Sequence, residues 1–331
     1  MAYDNIKLEK GLYTTGKSFT KALEELDPSE NYKGSELEGL DAYERQLKRF
    51  DIKVSGANSD PVSKFFATTD SAALFPEYIS RAVQMGIKSN NVVDEVVATT
   101  TQIDSLDYRS ISCANMDCSI DEVNEGVTIP EFTIKLDSKL TKLQKHGKML
   151  VASYEAIKYQ KLDLFTIMLK KIGDCIVTSE FEQAIGIMLE DENIRNMKAE
   201  NGKFTYETLV KFWSSFLPYQ LNALVVSQDV LAEFLSLPEF RDANAGLNFH
   251  ATGNMVTPFG AKIFCFKELE ANMIIGFDKN YAVEKVQAGG VLTEFDKLID
   301  RQLERASIST IVGFSRIYDD SAALLTRDAA A

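Results

Sequence analysis

Residues 162–189 read LDLFTIMLKKIGDCIVTSEFEQAIGIML, and this stretch decides the fold. Its apolar residues recur at helical spacing, beginning with Leu162, Phe165, Leu169, Ile172 and Ile176, and helix-forming residues continue to Leu189. At about 1.5 Å per residue, a helix of this length spans roughly 40 Å. A helix of that length is more typical of an α+β domain, where one helix spans the domain, than of a helix bundle.

The chain before this helix is predicted to form a long β-hairpin over residues 102–142. Residues 92–111 are rich in Val, Thr, Ile and Tyr, which favours a strand, and alternation resumes around residues 132–136. A polar, acidic stretch separates the two runs. An isolated two-stranded hairpin is only marginally stable in water, so its apolar face needs a partner in this chain or in a neighbouring copy.

The first sixty residues carry two thin apolar stripes among many charges. Ser18 suits the N-cap of the first stripe, which stops at Asp27 and Pro28. Stripes this thin cannot form a core of their own. We therefore expect an arm without a partner in its own chain, which docks on another surface or is partly mobile. A further helix follows the arm, with Pro76 at its first position and Gly86 at its end.

The C-terminal half mixes strands and helices without a regular βαβ rhythm, which predicts the α+β class. Ser227 suits the N-cap of a helix there, and Phe212 and Trp213 are interpreted as core aromatics. The predicted strands lie at 223–226, 263–266, 273–275, 281–283 and 307–314, and an amphipathic stretch runs from 295 to 303.

Composition excludes several classes of function. The chain has 331 residues and a formal net charge of −13, which disfavours tight binding to nucleic acid. The longest apolar run, near residues 221–226, is far shorter than the roughly 20 residues of a membrane span. The N-terminus lacks a signal-peptide pattern, so the four cysteines are expected to be reduced thiols.

Motifs for catalysis, metal or cofactor binding are not found. Only two histidines exist, His146 and His250, and no nucleophile motif accompanies either of them. The cysteines lack the paired spacing of zinc sites and are interpreted as buried small hydrophobes. They are Cys113, Cys118, Cys175 and Cys265. We therefore predict neither a cofactor nor a catalytic residue.

Two blocks of opposite charge flank the second strand of the predicted hairpin. The acidic block comprises Asp117, Asp121, Glu122 and Glu125. The basic block comprises Lys139, Lys142, Lys145 and Lys148. Each block is either a solvated face or a contact, in which the acidic tip of one copy meets the basic residues of the next. Such pairing would orient subunits more than it would add affinity.

Two stretches carry a resemblance to a known family. Residues 65–81 (FFATTDSAALFPEYISR) and 149–157 (MLVASYEAI), with the continuation KYQKLDLF, resemble major capsid proteins of tailed bacteriophages and prophages. That family has the Hong Kong-97-type fold, and the resemblance covers about residues 61–325. It implies an N-terminal arm that lies across a neighbour (1–60), the start of a peripheral domain (61–101), an extended β-hairpin loop (102–142), the peripheral domain with its spine helix (143–204), an axial domain (205–285) and return strands with a C-terminal tail (286–331).

The resemblance also implies a function. The expected protein is a structural, non-enzymatic capsid subunit that assembles into hexamers and pentamers of an icosahedral head. The shell encloses double-stranded DNA without binding it tightly, and portal, scaffold or decoration proteins are further expected partners. Assembly would occur in the cytoplasm of a host bacterium, and the product would be the virion.

Two alternatives stay open from the sequence. One is an encapsulin-like nanocompartment that encloses protein cargo. The other is a cytosolic α+β enzyme with a site around His250 or His146.

Overall fold

The computed structural model of the protein describes residues 2–13, 18–105, 107–112, 135–136, 140–241 and 255–327. The chain divides into two compact units. The first unit comprises residues 1–91, 145–177 and 290–310, and the second comprises residues 92–144, 178–289 and 311–331.

The helices and strands interleave along the chain. The helices are α1 (Phe19–Leu26), α2 (Ala42–Arg49), α3 (Thr69–Ala72), α4 (Phe75–Ser89), α5 (Tyr154–Tyr159), α6 (Leu162–Leu189), α7 (Tyr206–Ser214), α8 (Gln228–Ser236) and α9 (Pro238–Arg241). The strands are β1 (Thr99–Ile103), β2 (Asp107–Tyr108), β3 (Ile111–Ser112), β4 (Lys135–Leu136), β5 (Thr141–Lys142), β6 (Gln144–Ser153), β7 (Arg195–Lys198), β8 (Ala223–Val226), β9 (Lys262–Cys265), β10 (Met273–Phe277), β11 (Val283–Ala288), β12 (Leu292–Leu298), β13 (Leu303–Arg316) and β14 (Ala322–Thr326).

Several helix boundaries are confirmed because local hydrogen bonds determine them. The Ser18 hydroxyl accepts a hydrogen bond from the backbone N–H of Lys21, and the Ser227 hydroxyl accepts one from Val230. Both are N-caps, which satisfy a donor that the first turn of a helix leaves open. The long helix α6 begins and ends at the predicted residues.

The prediction that Gly86 ends a helix is wrong, because α4 continues to Ser89. Gly86 has a packing role instead. A Cβ atom on Gly86 would overlap the carbonyl oxygen of Lys170 in α6, and a Cβ atom on Gly173 would overlap the carbonyl oxygen of Val83 in α4. The backbones of the two helices therefore touch, and only glycine fits at both positions.

An aromatic cluster forms the core around this helix crossing. The ring of Phe165 on α6 stacks with Phe75 and Tyr78 of α4, at centroid distances of 6.2 and 6.4 Å. The Tyr78 hydroxyl donates a 2.8 Å hydrogen bond to the carbonyl oxygen of Leu162. Burial raises the pKa of Tyr78 to about 12, so the hydroxyl stays protonated at neutral pH.

The expectation that the first sixty residues lack a partner within the chain is wrong. Phe19 and Leu23 of α1 and Tyr43 of α2 are buried in the same core as Val83 of α4. Side chains of α4 contact both helices: Glu77 accepts a 2.7 Å hydrogen bond from the Thr20 hydroxyl on α1, and the guanidinium of Arg81 lies 4.3 Å from the ring centroid of Tyr43 on α2.

Polar contacts reinforce this packing. The guanidinium of Arg45 is fully buried and pairs with Asp27 at 2.8 Å, which joins α2 to the end of α1. Arg81 of α4 pairs with Asp41 at 2.7 Å. Breaking the buried pair would leave an uncompensated charge, so it stabilises α1 against α2, whereas the Arg81–Asp41 pair connects this segment to α4. The domain boundaries inferred from the resemblance remain predictions.

The second unit is built on a five-stranded sheet in the order β7-β14-β10-β8-β9. The predicted strand β8 is confirmed, and all four of its residues are buried. Phe212 of α7 and Phe234 of α8 are buried in the same apolar cluster as Leu224 of β8.

Strand β13 belongs to both units. In the first unit its residues 303–309 pair antiparallel with β12. The amphipathic stretch predicted at residues 295–303 therefore contributes to both of these strands. In the second unit its residues 312–316 pair antiparallel with β11, which also pairs parallel with β1. Strand β11 begins at Val283, two residues later than the sequence predicts, and extends to Ala288.

The predicted hairpin shows antiparallel pairing at its described positions. Asp107 of β2 lies opposite Lys142 of β5, and Ile111 of β3 lies opposite Leu136 of β4. Residues 113–134, which include the predicted acidic tip, lie outside the described residues.

We predict that Gly86→Ala lowers the free energy of unfolding by about 2–3 kcal/mol, because the added methyl group forces α4 and α6 apart. Gly186→Ala on α6 is the matched control, since a Cβ atom there has no neighbour within 4 Å. The control should be neutral or stabilising by about 0.5–1 kcal/mol, the gain in helix propensity. Urea unfolding, monitored by circular dichroism, measures the free energy of unfolding of both variants. Equal changes in the two variants would contradict the role assigned to the helix crossing.

Candidate assembly surfaces

Helix α6 is apolar on two faces within the first unit. Leu162, Phe165 and Leu169 are buried in the core. Leu164, Ile167 and Met168, which we call the outer stripe, are also at helical spacing and are each about half exposed, with Ile167 at 59%. Three exposed apolar side chains at helical spacing share one face, which makes the outer stripe a candidate contact surface.

Strand β6 exposes a second apolar surface of the first unit. Side chains alternate along a strand, so Lys145, Met149 and Val151 share one face, and all three are exposed. We call them the outward strand face. Leu150 and Ala152 lie on the other face and pack against the core of the first unit. The outward strand face therefore combines a cation with two unburied apolar side chains.

The second unit exposes an apolar surface on and just beyond α7. Val210, Trp213 and Leu217, which we call the α7 surface, are exposed, and Leu217 is 81% exposed. The Trp213 ring lies 6.2 Å from the ring of Phe259. The sequence interpretation of core aromatics is correct for Phe212 and wrong for Trp213, because the helix turns adjacent side chains to different sides.

The lysines of the basic block do not share one face. Lys145 and Lys148 are both exposed on β6, but their odd spacing places them on opposite faces of the strand. Lys142 lies on β5 in the second unit, opposite Asp107. The remaining predicted contact residues lie outside the described part of the chain: Asp117, Asp121, Glu122, Glu125 and Lys139.

Residues considered for chemistry are scattered. His146 lies within β6 instead of in a turn, and His250 is outside the described ranges. Cys265 is exposed, contrary to the expectation of a buried thiol, and it is the last residue of β9, an edge strand of its sheet. Partial burial raises the pKa of the Cys265 thiol, so it is a poor nucleophile at neutral pH.

Among the residues that the structure describes, no helix has the length and hydropathy of a membrane span.

Comparison by sequence finds no relative: no protein-family model matches the chain, and no curated protein does. Comparison of structures does find similar folds. The capsid subunit of a native GTA particle matches with a TM-score of 0.54 at 13% identity, over 72% of this chain and 91% of that chain.

Two further structures match over similar lengths. The virus-like particle from Pyrococcus furiosus gives a TM-score of 0.51 at 15% identity, over 75% of this chain and 98% of that chain. The capsid of the cyanophage P-SCSP1u gives a TM-score of 0.51 at 13% identity, over 71% of this chain and 88% of that chain. These matches confirm the fold predicted from the resemblance: the protein has the α+β Hong Kong-97-type capsid fold.

We predict that Ile167→Glu weakens association between copies of the chain and leaves the subunit folded. The side chain is exposed, so the free energy of unfolding should change by less than about 0.5 kcal/mol. Light scattering over a concentration series measures the association. Ile167→Leu is the matched control and should associate normally, whereas Leu169→Glu, two residues away in the core, should unfold the first unit. Normal association of Ile167→Glu would contradict a role for the outer stripe.

Proposed function

We propose that this protein is the structural subunit of a closed protein shell, built from many copies of the chain and without catalysis of its own. The observation that carries this proposal is the structural match, which spans most of this chain and nearly all of three subunits from capsids or virus-like particles. Repeated contacts around rotation axes close such subunits into a shell.

The exposed apolar residues support the proposal. A lone soluble subunit rarely keeps contiguous apolar patches in water, and large ones mark interaction sites. The outer stripe, the outward strand face and the α7 surface are three such groups of side chains, and the fold of each unit leaves them uncovered. A second copy of the chain is the occupant that a shell requires at each of them.

Within this class we propose the head of a tailed bacteriophage, which encloses double-stranded DNA. The net charge of −13 supports this, because a packaged genome has to slide and an acidic wall repels phosphates. That repulsion is screened over about 8 Å at physiological salt, so DNA would be held loosely. Assembly would take place in a bacterial cytoplasm, with hexamers and pentamers as building blocks and portal, scaffold or decoration proteins as partners.

An encapsulin-like compartment with protein cargo is the second candidate. The match to the virus-like particle from Pyrococcus furiosus, which covers 98% of that chain, favours it. The two candidates share the shell and differ in its contents.

The test is negative-stain microscopy of particles isolated from producing cells, followed by nuclease treatment and analysis of the contents. Closed shells that protect double-stranded DNA are expected. Shells with a stoichiometric second protein and no DNA would favour the compartment. A monomer or small oligomer in the cell extract would contradict the shell itself.

We also propose that the two charge blocks meet between copies. The exposed Lys145 of the outward strand face supports this, since it lies beside uncovered apolar side chains. Lys145→Glu should slow assembly, as should Asp121→Lys with Glu122→Lys, and the three changes together should restore it. Lys148→Glu, on the opposite face of β6, is the matched control and should assemble normally. Light scattering at low salt measures the rate, because surface charge interactions are strongest there. A combined variant that assembles no better than the separate variants would contradict the pairing.

A further inference from the structure

Glu284 is a buried carboxylate on β11 of the second unit, and only 6% of the residue is exposed. Four hydroxyl groups donate hydrogen bonds to it. Its Oε1 atom accepts from Thr101 and, at 2.8 Å, from Tyr108, and its Oε2 atom accepts from Ser110 and, at 3.4 Å, from Ser315. Burying a carboxylate is costly unless such bonds are made, so the arrangement of donors is tightly constrained.

The four donors come from two parts of the second unit. Thr101 on β1 and Ser315 on β13 belong to the strands that flank β11 in the sheet. Tyr108 on β2 and Ser110 just after it belong to the base of the hairpin. The carboxylate of Glu284 therefore bonds the outgoing strand of the hairpin to the sheet.

The returning strand is held by a different contact. A Cβ atom on Gly313 of β13 would lie 2.6 Å from the carbonyl oxygen of Lys142 on β5. Glycine at this position lets β5 approach the sheet at backbone distance. Both strands at the base of the hairpin are thus anchored to the same sheet, one by the buried carboxylate and the other by backbone packing.

We propose that Glu284 is a positioning residue for assembly: its four hydrogen bonds hold the described base of the hairpin, residues 107–112, in one orientation against the sheet. If the base swung away, the carboxylate would lose two of its four donors, the hydroxyls of Tyr108 and Ser110. The consequence for assembly rests on the proposed shell function, whereas the effect on the hairpin does not.

The pKa of the Tyr108 hydroxyl is consistent with this role. Burial is the larger cause that raises this pKa, and the hydrogen bond to Glu284 is the second. The phenol therefore keeps the proton that it donates to the carboxylate.

The test compares Glu284→Ala with Glu180→Ala. Glu180 pairs at 2.5 Å with Lys285, the next residue along β11, and it makes none of the four bonds to the hairpin base. Both variants remove a buried carboxylate from the second unit. Glu284→Gln is a third variant, which keeps the shape and can bond hydroxyls as both acceptor and donor.

Hydrogen exchange of the unassembled subunit is the first measurement. Glu284→Ala should speed amide exchange in residues 107–112 by at least about tenfold, while exchange in α8 stays as in the wild type. Glu284→Gln should show a smaller change, and Glu180→Ala should leave residues 107–112 unaffected. Unchanged exchange in Glu284→Ala, or the same increase in Glu180→Ala, would overturn the positioning role.

Microscopy of assembled particles is the second measurement. We expect Glu284→Ala to give few or irregular shells and Glu180→Ala to give normal ones. Normal shells from Glu284→Ala would refute the link between the orientation of the hairpin base and assembly. If the wild type forms no shells but Glu284→Ala still loosens residues 107–112, the proposed function fails and the positioning role stands.

Discussion

The contact on which the first unit depends is the crossing of α4 and α6, where Gly86 and Gly173 remove the side chains between two helix backbones. This close approach brings Phe75, Tyr78 and Phe165 into one aromatic stack. Side chains of α4 also contact α1 and α2, and the N-terminal segment is part of the same core. Because interiors are packed as densely as crystals, one methyl group at the crossing affects all of these contacts.

The same crossing leaves the other apolar face of α6 uncovered. One side of the helix meets α4, and the outer stripe faces away from the core of the first unit. Folding of the first unit does not explain why those positions are apolar. Under the proposed shell function, contact with another copy explains it, because exposed apolar side chains on one face are typical of interaction sites.

Much of the fold could be predicted from the sequence, but the surfaces could not. The sequence predicts the bounds of α6 and the caps of α1 and α8 correctly, whereas it places Trp213 in the core and gives the N-terminal stripes no partner in the chain. The sequence also groups the lysines into one basic block, yet the strand places Lys145 and Lys148 on opposite faces. Each of these errors concerns the direction in which the side chains of an amphipathic segment face. The sequence of the segment alone does not determine that direction.

The sequence alone determined what depends on neighbours within a few residues: helix starts, helical and strand periodicity, the acidic balance and the α+β class. The tertiary structure decided the glycine crossing, the exposed stripe and the bonds of Glu284. Thr101 lies 183 positions from Glu284 along the chain, and no local pattern links them. Contacts of this kind exist only after the chain has folded, because burial and hydrogen-bond partners depend on residues that propensity and spacing do not connect.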